Sequence, residues 1–491
     1  MTDYALVFRG HSFGYEVQAI AKIFIPGVRF LLSENGEVPD VPNCLITEIA
    51  QPGDPAQILI CSVDVRLHGK HVTRRRTISQ AEEHETAEMT LCTLLYEVLQ
   101  EMTGYTPPWG MLTGIRPVRK VIQLLDAGKT PEEAAAYLQQ TYRVSEEKLR
   151  LAVETALVQH PILPHRRREI GLYVSIPFCP TRCSYCSFVS HSMESAYQLI
   201  PDYITKLCEE IRILGEMIFT YGLQVQSVYI GGGTPTSITA EQLRQVMEAL
   251  RTHIDIAHAR EYTVEAGRAD TITDDKLRVI REMGATRISV NPQTLQDSVL
   301  EAVGRRHTAQ QAIDAFQLAR DMGFDDINMD LIAGLPTDTF AGFSDTLKKV
   351  MALAPDSITV HTLTLKRAAA LYHTEEKQSA DIREIERMAE LSARELPAHG
   401  YRPYYLYRQK NTLGNLENVG YARPGKENLY NILIMDETQT ILAAGCAAST
   451  KLVDGQGNIT RVMNYKFPYE YINRFDSMME KKQEIRRFFE K

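Results

Sequence analysis

From Gly171 onward the chain keeps switching between two hydrophobic rhythms. Apolar runs at 172–176, 226–230, 262–266, 286–290, 326–332 and 357–363 have the length and composition of buried strands. Between them, at 202–221, 240–253 and 309–322, apolar residues return at every third or fourth position, the spacing of a helix with one buried face. Repeated strand–helix units imply a parallel sheet with right-handed crossovers. Six units are too few to close an eight-stranded barrel. The pattern therefore predicts an α/β fold built on an open, partial (β/α)6 barrel.

The flanks have other rhythms. Residues 44–49 and 57–65 alternate as strands do, and 78–158 are helical in spacing, so 1–165 is expected to be an α+β accessory domain. Its end is marked by Pro161, Pro164 and the run His165-Arg166-Arg167-Arg168. The barrel is expected over 166–370. Beyond it a long helix at 382–396, a tyrosine-rich stretch and a final helix predict a mostly helical region over 371–491. Within the first domain, Trp109 lies in Pro-Pro-Trp-Gly-Met-Leu-Thr-Gly-Ile-Arg-Pro, a shaped turn. Its Arg116 suits either that turn or an acidic substrate.

Composition narrows the class. The 491 residues are 44% apolar, with net charge −8 and a pI near 6.0, which argues against nucleic acid or an anionic membrane as the main partner. No apolar run is long enough to span a bilayer, and the start lacks the basic-then-apolar pattern of a signal peptide, so a cytoplasmic protein is expected.

The sharpest feature is Cys179, Cys183 and Cys186, a C-x3-C-x2-C run straight after the first barrel strand. Three thiolates on one loop can hold three corners of an iron–sulfur cube, leaving one iron open. A structural zinc site would need a fourth ligand. No second C-x2-C exists, and His191 is the only nearby nitrogen candidate. Cys44, Cys61, Cys92, Cys208 and Cys446 are scattered, as ordinary thiols are.

Barrel chemistry gathers at the carboxyl ends of strands, and polar residues recur there. The second strand ends in Gly231-Gly232-Gly233-Thr234-Pro235-Thr236. Glu265 ends the third, and Gln293 follows the fourth with Arg305 beyond. Asp330 is within the fifth, and His361, Thr362 and Thr364 are at the end of the sixth. Three glycines let backbone approach a ligand closely. A carboxylate in an apolar strand needs a partner; for Glu265 and Asp330 this is a ligand or an internal arginine, Arg287 or Arg305. Arg305-Arg306-His307 also reads as an exposed basic patch.

Together these residues resemble the HemN-like radical S-adenosylmethionine (SAM) family. The marks are Tyr-x-x-Ile-Pro-Phe-Cys at 173–179, Gly-Gly-Gly-Thr-Pro-Thr at 231–236, Gln293 with Arg305, and Asp330-Leu-Ile-x-Gly-Leu-Pro. The module carrying Leu-Thr-Gly-Ile-Arg-Pro resembles the HemZ branch, described as oxygen-independent coproporphyrinogen III dehydrogenases. The resemblance implies that Cys179, Cys183 and Cys186 ligate a [4Fe–4S] cluster, with Tyr173, Gly232 and Glu265 on its SAM. Gly233, Thr234, Gln293, Arg305, Asp330 and Thr364 would be polar contacts of the same cavity, closed by Ser449. It implies decarboxylation of coproporphyrinogen III to protoporphyrinogen IX in heme biosynthesis, with Arg305, Arg306 and Arg116 as candidate substrate cations. A flavodoxin or ferredoxin would supply electrons. Phe188 stands where the dehydrogenases continue as C-x-C, and there it resembles the HemW heme-trafficking branch. That branch ends in His-Asn-x-x-Tyr-Trp, whereas this chain has no histidine after His399 and no tryptophan after Trp109.

Overall fold

The computed structural model describes residues 3–51, 58–79, 84–114, 116–163, 168–364, 366, 368–373, 382–409 and 416–490. The basic run at 165–167 lies outside these. The chain forms two compact units, residues 1–117 with 123–153 and residues 118–122 with 154–491.

In the first unit, β1 (Tyr4–Arg9), β2 (Leu31–Ser33) and β3 (Asn43–Ala50) run parallel, and β4 (Ile58–Leu67) and β5 (Lys70–Ser79) continue antiparallel, in the order β2-β1-β3-β4-β5. Leu6, Val17, Leu45, Val63 and Leu95 share its core with the helices Gly14–Phe24 and His84–Thr103. The edge strand β5 exposes Arg74, Arg75 and Arg76, charges that discourage pairing with another chain. At the Trp109 turn, Gly110 has φ +53° and its α-hydrogen faces the Tyr142 carbonyl, where a Cβ would come within 2.0 Å. Arg116 belongs to this first unit by position.

The second unit holds one mixed sheet. β6 (Glu169–Ile176), β9 (Gln224–Gly232), β10 (Glu261–Glu265), β11 (Arg287–Ser289), β12 (Ile327–Ala333) and β13 (Ser357–Thr362) stand side by side in chain order and all parallel. This is the expected strand series. A two-strand ribbon, β7 (Phe178–Cys179) with β8 (His191–Ser192), brackets the cysteine loop. Several helices between strands begin where the sequence caps them, Thr339 among the caps. Thr239 with Gln242 and Thr308 with Gln311 form reciprocal capping boxes.

The C-terminal region adds more than helices. It carries Ile382–Ala398, Leu429–Asp436 and three short helices from residue 468 onward. It also contributes β14 (Arg402–Arg408), β15 (Glu417–Ala422), β16 (Ile441–Ala444), β17 (Ser449–Val453) and β18 (Ile459–Met463), so residues 371–491 share a sheet with 169–362. β15 and β14 extend one side antiparallel, and β16 joins β6 parallel on the other. Among the described residues β14 and β18 are the free edges, so the barrel is open.

A buried charge cluster fastens this extension. Glu210, wholly enclosed, pairs with Lys482 at 2.8 Å and accepts from Asn464 Nδ2, Gly445 N and Tyr471 Oη. Lys482 also donates to the Ala443 carbonyl at 2.7 Å. A buried ion pair is tolerable when its remaining hydrogen-bonding capacity is filled in this way. Among the described residues no helix is long and apolar enough to cross a membrane.

Candidate active site

Strands β10, β12 and β13 are each buried except at one place. Along β6, β9, β10, β12, β13 and β14, the partly exposed side chains from mid-strand onward include Tyr173, Tyr229, Glu265, Asp330, His361 and Tyr407. They form a connected polar row. The rings of Tyr173 and Tyr229 lie 6.2 Å apart and nearly parallel, and Tyr430 stacks on Tyr229 at 4.5 Å. Tyr229 Oη donates to Glu265 Oε1. Asp330 Oδ1 accepts from Asn328 at 2.7 Å, and its Oδ2 lies 3.9 Å from His361 Nε2.

The partners of these carboxylates differ from the expected arginines. Arg287 is committed to Asp326 at 2.6 Å and to Ser357. Burial, followed by the charge of Asp330, pushes the Glu265 carboxyl up to about 7, against the hydrogen bonds from Tyr229 and the Gly232 amide. Burial presses Asp330 the same way, but His361, Asn328 and Thr359 more than offset it and hold it below its ordinary value. Glu265 is thus a carboxylate poised to accept a cation, and Asp330 one already stabilised.

The cysteine loop lies beside this row. Thr234 Oγ1 donates to Cys179 Sγ at 3.5 Å, and the Phe188 amide donates to Cys186. Burial raises the thiol of Cys179 and pushes that of Cys186 up to about 11; metal coordination deprotonates such thiols outright. Among the described residues no three His, Cys, Asp or Glu side chains converge as a single-ion site. A cubane asks for something else, one thiolate for each of three irons.

The glycine run is spoken for. Gly233 N donates to the Ile176 carbonyl and Thr234 N to that of Phe178, both at 2.8 Å. A Cβ on Gly233 would come within 2.6 Å of Phe178 O, one residue before Cys179, and Gly232 has φ +109°. Gly233→Val is therefore expected to displace the cysteine loop and lose iron along with SAM binding. Normal iron content with weakened SAM binding in that variant would contradict this geometry.

Three other expected contacts carry buried polar atoms without a hydrogen-bond partner: Gln293 Oε1, Arg305 Nε and Ser449 Oγ. Each such atom costs about 1–3 kcal/mol, which a polar ligand would relieve. Gln293 is also held at φ +68°, with its amide on the Asp330 carbonyl; strain of this kind collects at functional positions. Arg305 is buried, its other nitrogens committed to Tyr185 Oη and the carbonyls of Gly267 and Asn291. Arg305-Arg306-His307 is accordingly no surface patch: only Arg306 is exposed. Ser449 opens β17, next to the strand β16 that lies alongside Tyr173. Thr364 turns back to the Thr362 carbonyl at 3.3 Å. Phe188 is 69% exposed, which removes core packing as its role.

The spacing of residues did not disclose Tyr229, Tyr430, Tyr185 or the pair Arg268–Asp270. The alternation within 224–232 puts Tyr229 on the inner face. Tyr430 lies in Glu427-Asn-Leu-Tyr-Asn431, where the heme-trafficking motif would fall, and it stacks in the barrel.

Residues 173–350 match the radical SAM superfamily. The oxygen-independent coproporphyrinogen-III oxidase-like protein HemZ of Bacillus subtilis is 40% identical over 421 residues, 84% of each chain. The chain belongs to the HemZ-like group of the radical SAM superfamily. The heme chaperone HemW of the same organism is 28% identical, over 54% of this chain and 67% of its own length. The fold matches a solved structure of Escherichia coli coproporphyrinogen III oxidase HemN, a radical SAM enzyme, with a TM-score of 0.52 and 24% identity over 66% of this chain and 72% of that one. The cofactors of this HemZ-like chain are therefore a [4Fe–4S] cluster and SAM. The three-thiol loop, the raised Glu265 carboxyl and the unpartnered polar atoms fit that pair.

Proposed function

We propose that the protein catalyses oxygen-independent oxidative decarboxylation of coproporphyrinogen III to protoporphyrinogen IX. The observation that carries the reading is the luminal row Tyr173–Tyr229–Glu265–Asp330–His361 beside the three-cysteine loop. Cys179, Cys183 and Cys186 would hold the cluster, and Tyr173, Gly232 and Glu265 the SAM, with Glu265 taking the ammonium. The bound cofactors supply the radical that removes hydrogen from a propionate side chain. That side chain then loses carbon dioxide and one electron to become vinyl, the electron passing to an external one-electron acceptor.

The protein's part is recognition. Tyrosine faces suit a macrocycle, and the oxygens of Asp330 and the tyrosines suit its pyrrole N–H donors. His361, Arg305 Nε and the exposed Arg306 are the donors suited to its carboxylates. A reduced low-potential carrier such as a flavodoxin or ferredoxin would be the electron source.

The rival is a heme carrier, favoured by the aromatic Phe188 and the HemW relatives. Anaerobically reconstituted protein is incubated with coproporphyrinogen III, SAM and a reductant, and separately with heme. Divinyl product is expected. Stable stoichiometric heme binding with no decarboxylation would overturn the reading.

Phe188 allows a narrower test. Its amide serves Cys186, while its exposed ring is free to stack. Phe188→Ala is expected to keep the cluster and uncoupled SAM cleavage but to raise the substrate KM about 2- to 13-fold, the equivalent of about 0.5–1.5 kcal/mol for an aromatic contact. An equal loss of SAM cleavage would make the ring a support of the cysteine loop.

A further inference from the structure

Arg268 follows β10 on the turn that begins at Ala266, and its side chain is 4% exposed. Its guanidinium is fully oriented. Nε and Nη2 donate to the two oxygens of Asp270 at 2.9 and 2.7 Å, a bidentate pair. Nη1 donates to Thr181 O and Oγ1 at 3.1 and 2.8 Å, within the cysteine loop. The same nitrogen lies 3.9 Å from Cys183 Sγ. The turn is itself fixed, because Thr271 Oγ1 donates to the Arg268 carbonyl and Thr236 Oγ1 to that of Ala266. The side chain of His307, fully buried, stands with Nδ1 3.8 Å from Asp270 Oδ1, the oxygen that also accepts from Arg268 Nε. Burial drives the Asp270 carboxyl upward, but His307 and Arg268 together hold it well below the carboxylate range, so it stays charged.

We propose that Arg268 is a positioning residue that sets the reduction potential of the cluster, with Asp270 as its counterweight. Reduction adds one electron, and hence one negative charge, to a cluster bound at Cys183. A fixed cation against that sulfur favours the reduced state, and a fixed anion behind it opposes it. Hydrogen bonds to the sulfurs and nearby charge are the terms through which a protein tunes such a site. Arg305 also acts on Cys183, but through a guanidinium whose direct contacts are neutral oxygens. Arg268 alone of the two contacts both the loop backbone and a carboxylate.

The inference rests on ligation of the cluster by the three cysteines, and its test separates the two. The full-length protein is reconstituted with iron and sulfide and titrated anaerobically with dithionite, the reduced cluster being followed by electron paramagnetic resonance. Arg268→Gln is expected to lower the reduced-to-oxidised ratio at fixed potential by tenfold or more, a negative shift of about 59 mV or beyond for one electron. Arg268→Lys should shift less. Asp270→Asn should shift the midpoint positive. Opposite signs are the signature, because general damage to the loop would move both variants the same way. Unchanged midpoints, or shifts of one sign in both, would overturn the proposal. If Arg268→Gln fails to take up iron, Arg268→Lys and Asp270→Asn decide it. A wild-type protein with no iron–sulfur signal would instead sink the ligand assignment.

Discussion

Replacing Cys179, Cys183 or Cys186 by alanine is expected to abolish iron–sulfur absorbance and SAM cleavage together. A cube held by three thiolates has no spare ligand on the protein side. The loop is braced as well, from outside by Thr234 at Cys179 and Arg268 at Cys183, and from within by the Phe188 amide at Cys186. Each alanine variant loses the brace on its own sulfur and keeps the other two, so the fold should survive and the loss should be specific to metal. Cys208 and Cys446 are the controls. Their sulfurs face the carbonyls of Gln245 and Lys466, and their alanine variants should keep the cluster. Stoichiometric zinc in anaerobically purified wild-type protein, without an iron–sulfur signal after reconstitution, would end the assignment.

Glu265→Gln should do two opposite things. In the unfolded chain the carboxyl ionises near 4.5, and in the fold only at about 7. Ionisation therefore opposes folding increasingly between those values, and the penalty is complete above the upper one. Glutamine removes it while leaving an acceptor for Tyr229. At about 1.36 kcal/mol per unit, the cofactor-free variant should gain about 2–4 kcal/mol at pH 8 and almost nothing near pH 4.5, read by thermal unfolding. SAM binding should weaken about 10- to 150-fold, since a charge-assisted hydrogen bond to the ammonium contributes about 1.5–3 kcal/mol. A variant that binds SAM as tightly as wild type would remove Glu265 from the cofactor site. One less stable than wild type at pH 8 would show that its charge is already paired.

What could be read from the chain follows from the range of the interactions involved. The six parallel strands announce themselves because both faces are covered and each is a local apolar run. The cysteine loop is equally local. Tyr229 and Tyr430 are far apart in sequence and meet only through the sheet, so no spacing rule links them. Arg305 and His307 look like surface charge in the run Arg-Arg-His. The fold buries both, and no local pattern separates a buried guanidinium from a solvated one. The strands β14 to β18 give a weaker local signal; Glu417–Ala422 contains a glycine and an asparagine, weak strand formers. They exist because β13 and β6 offer unpaired edges. Arg268 and Asp270 sit in Gly-Arg-Ala-Asp, which reads as an ordinary polar turn until the cysteine loop is folded against it.

Trp109 is the chain's single tryptophan and lies in the first compact unit, while the cysteine loop lies in the second. Nature has thereby separated two optical reporters. Indole emission follows melting of the N-terminal unit, and visible absorbance of the bound cluster follows the barrel. Where the two curves part, a single melting temperature ceases to describe the molecule, and the interval between them measures how independently its halves hold together.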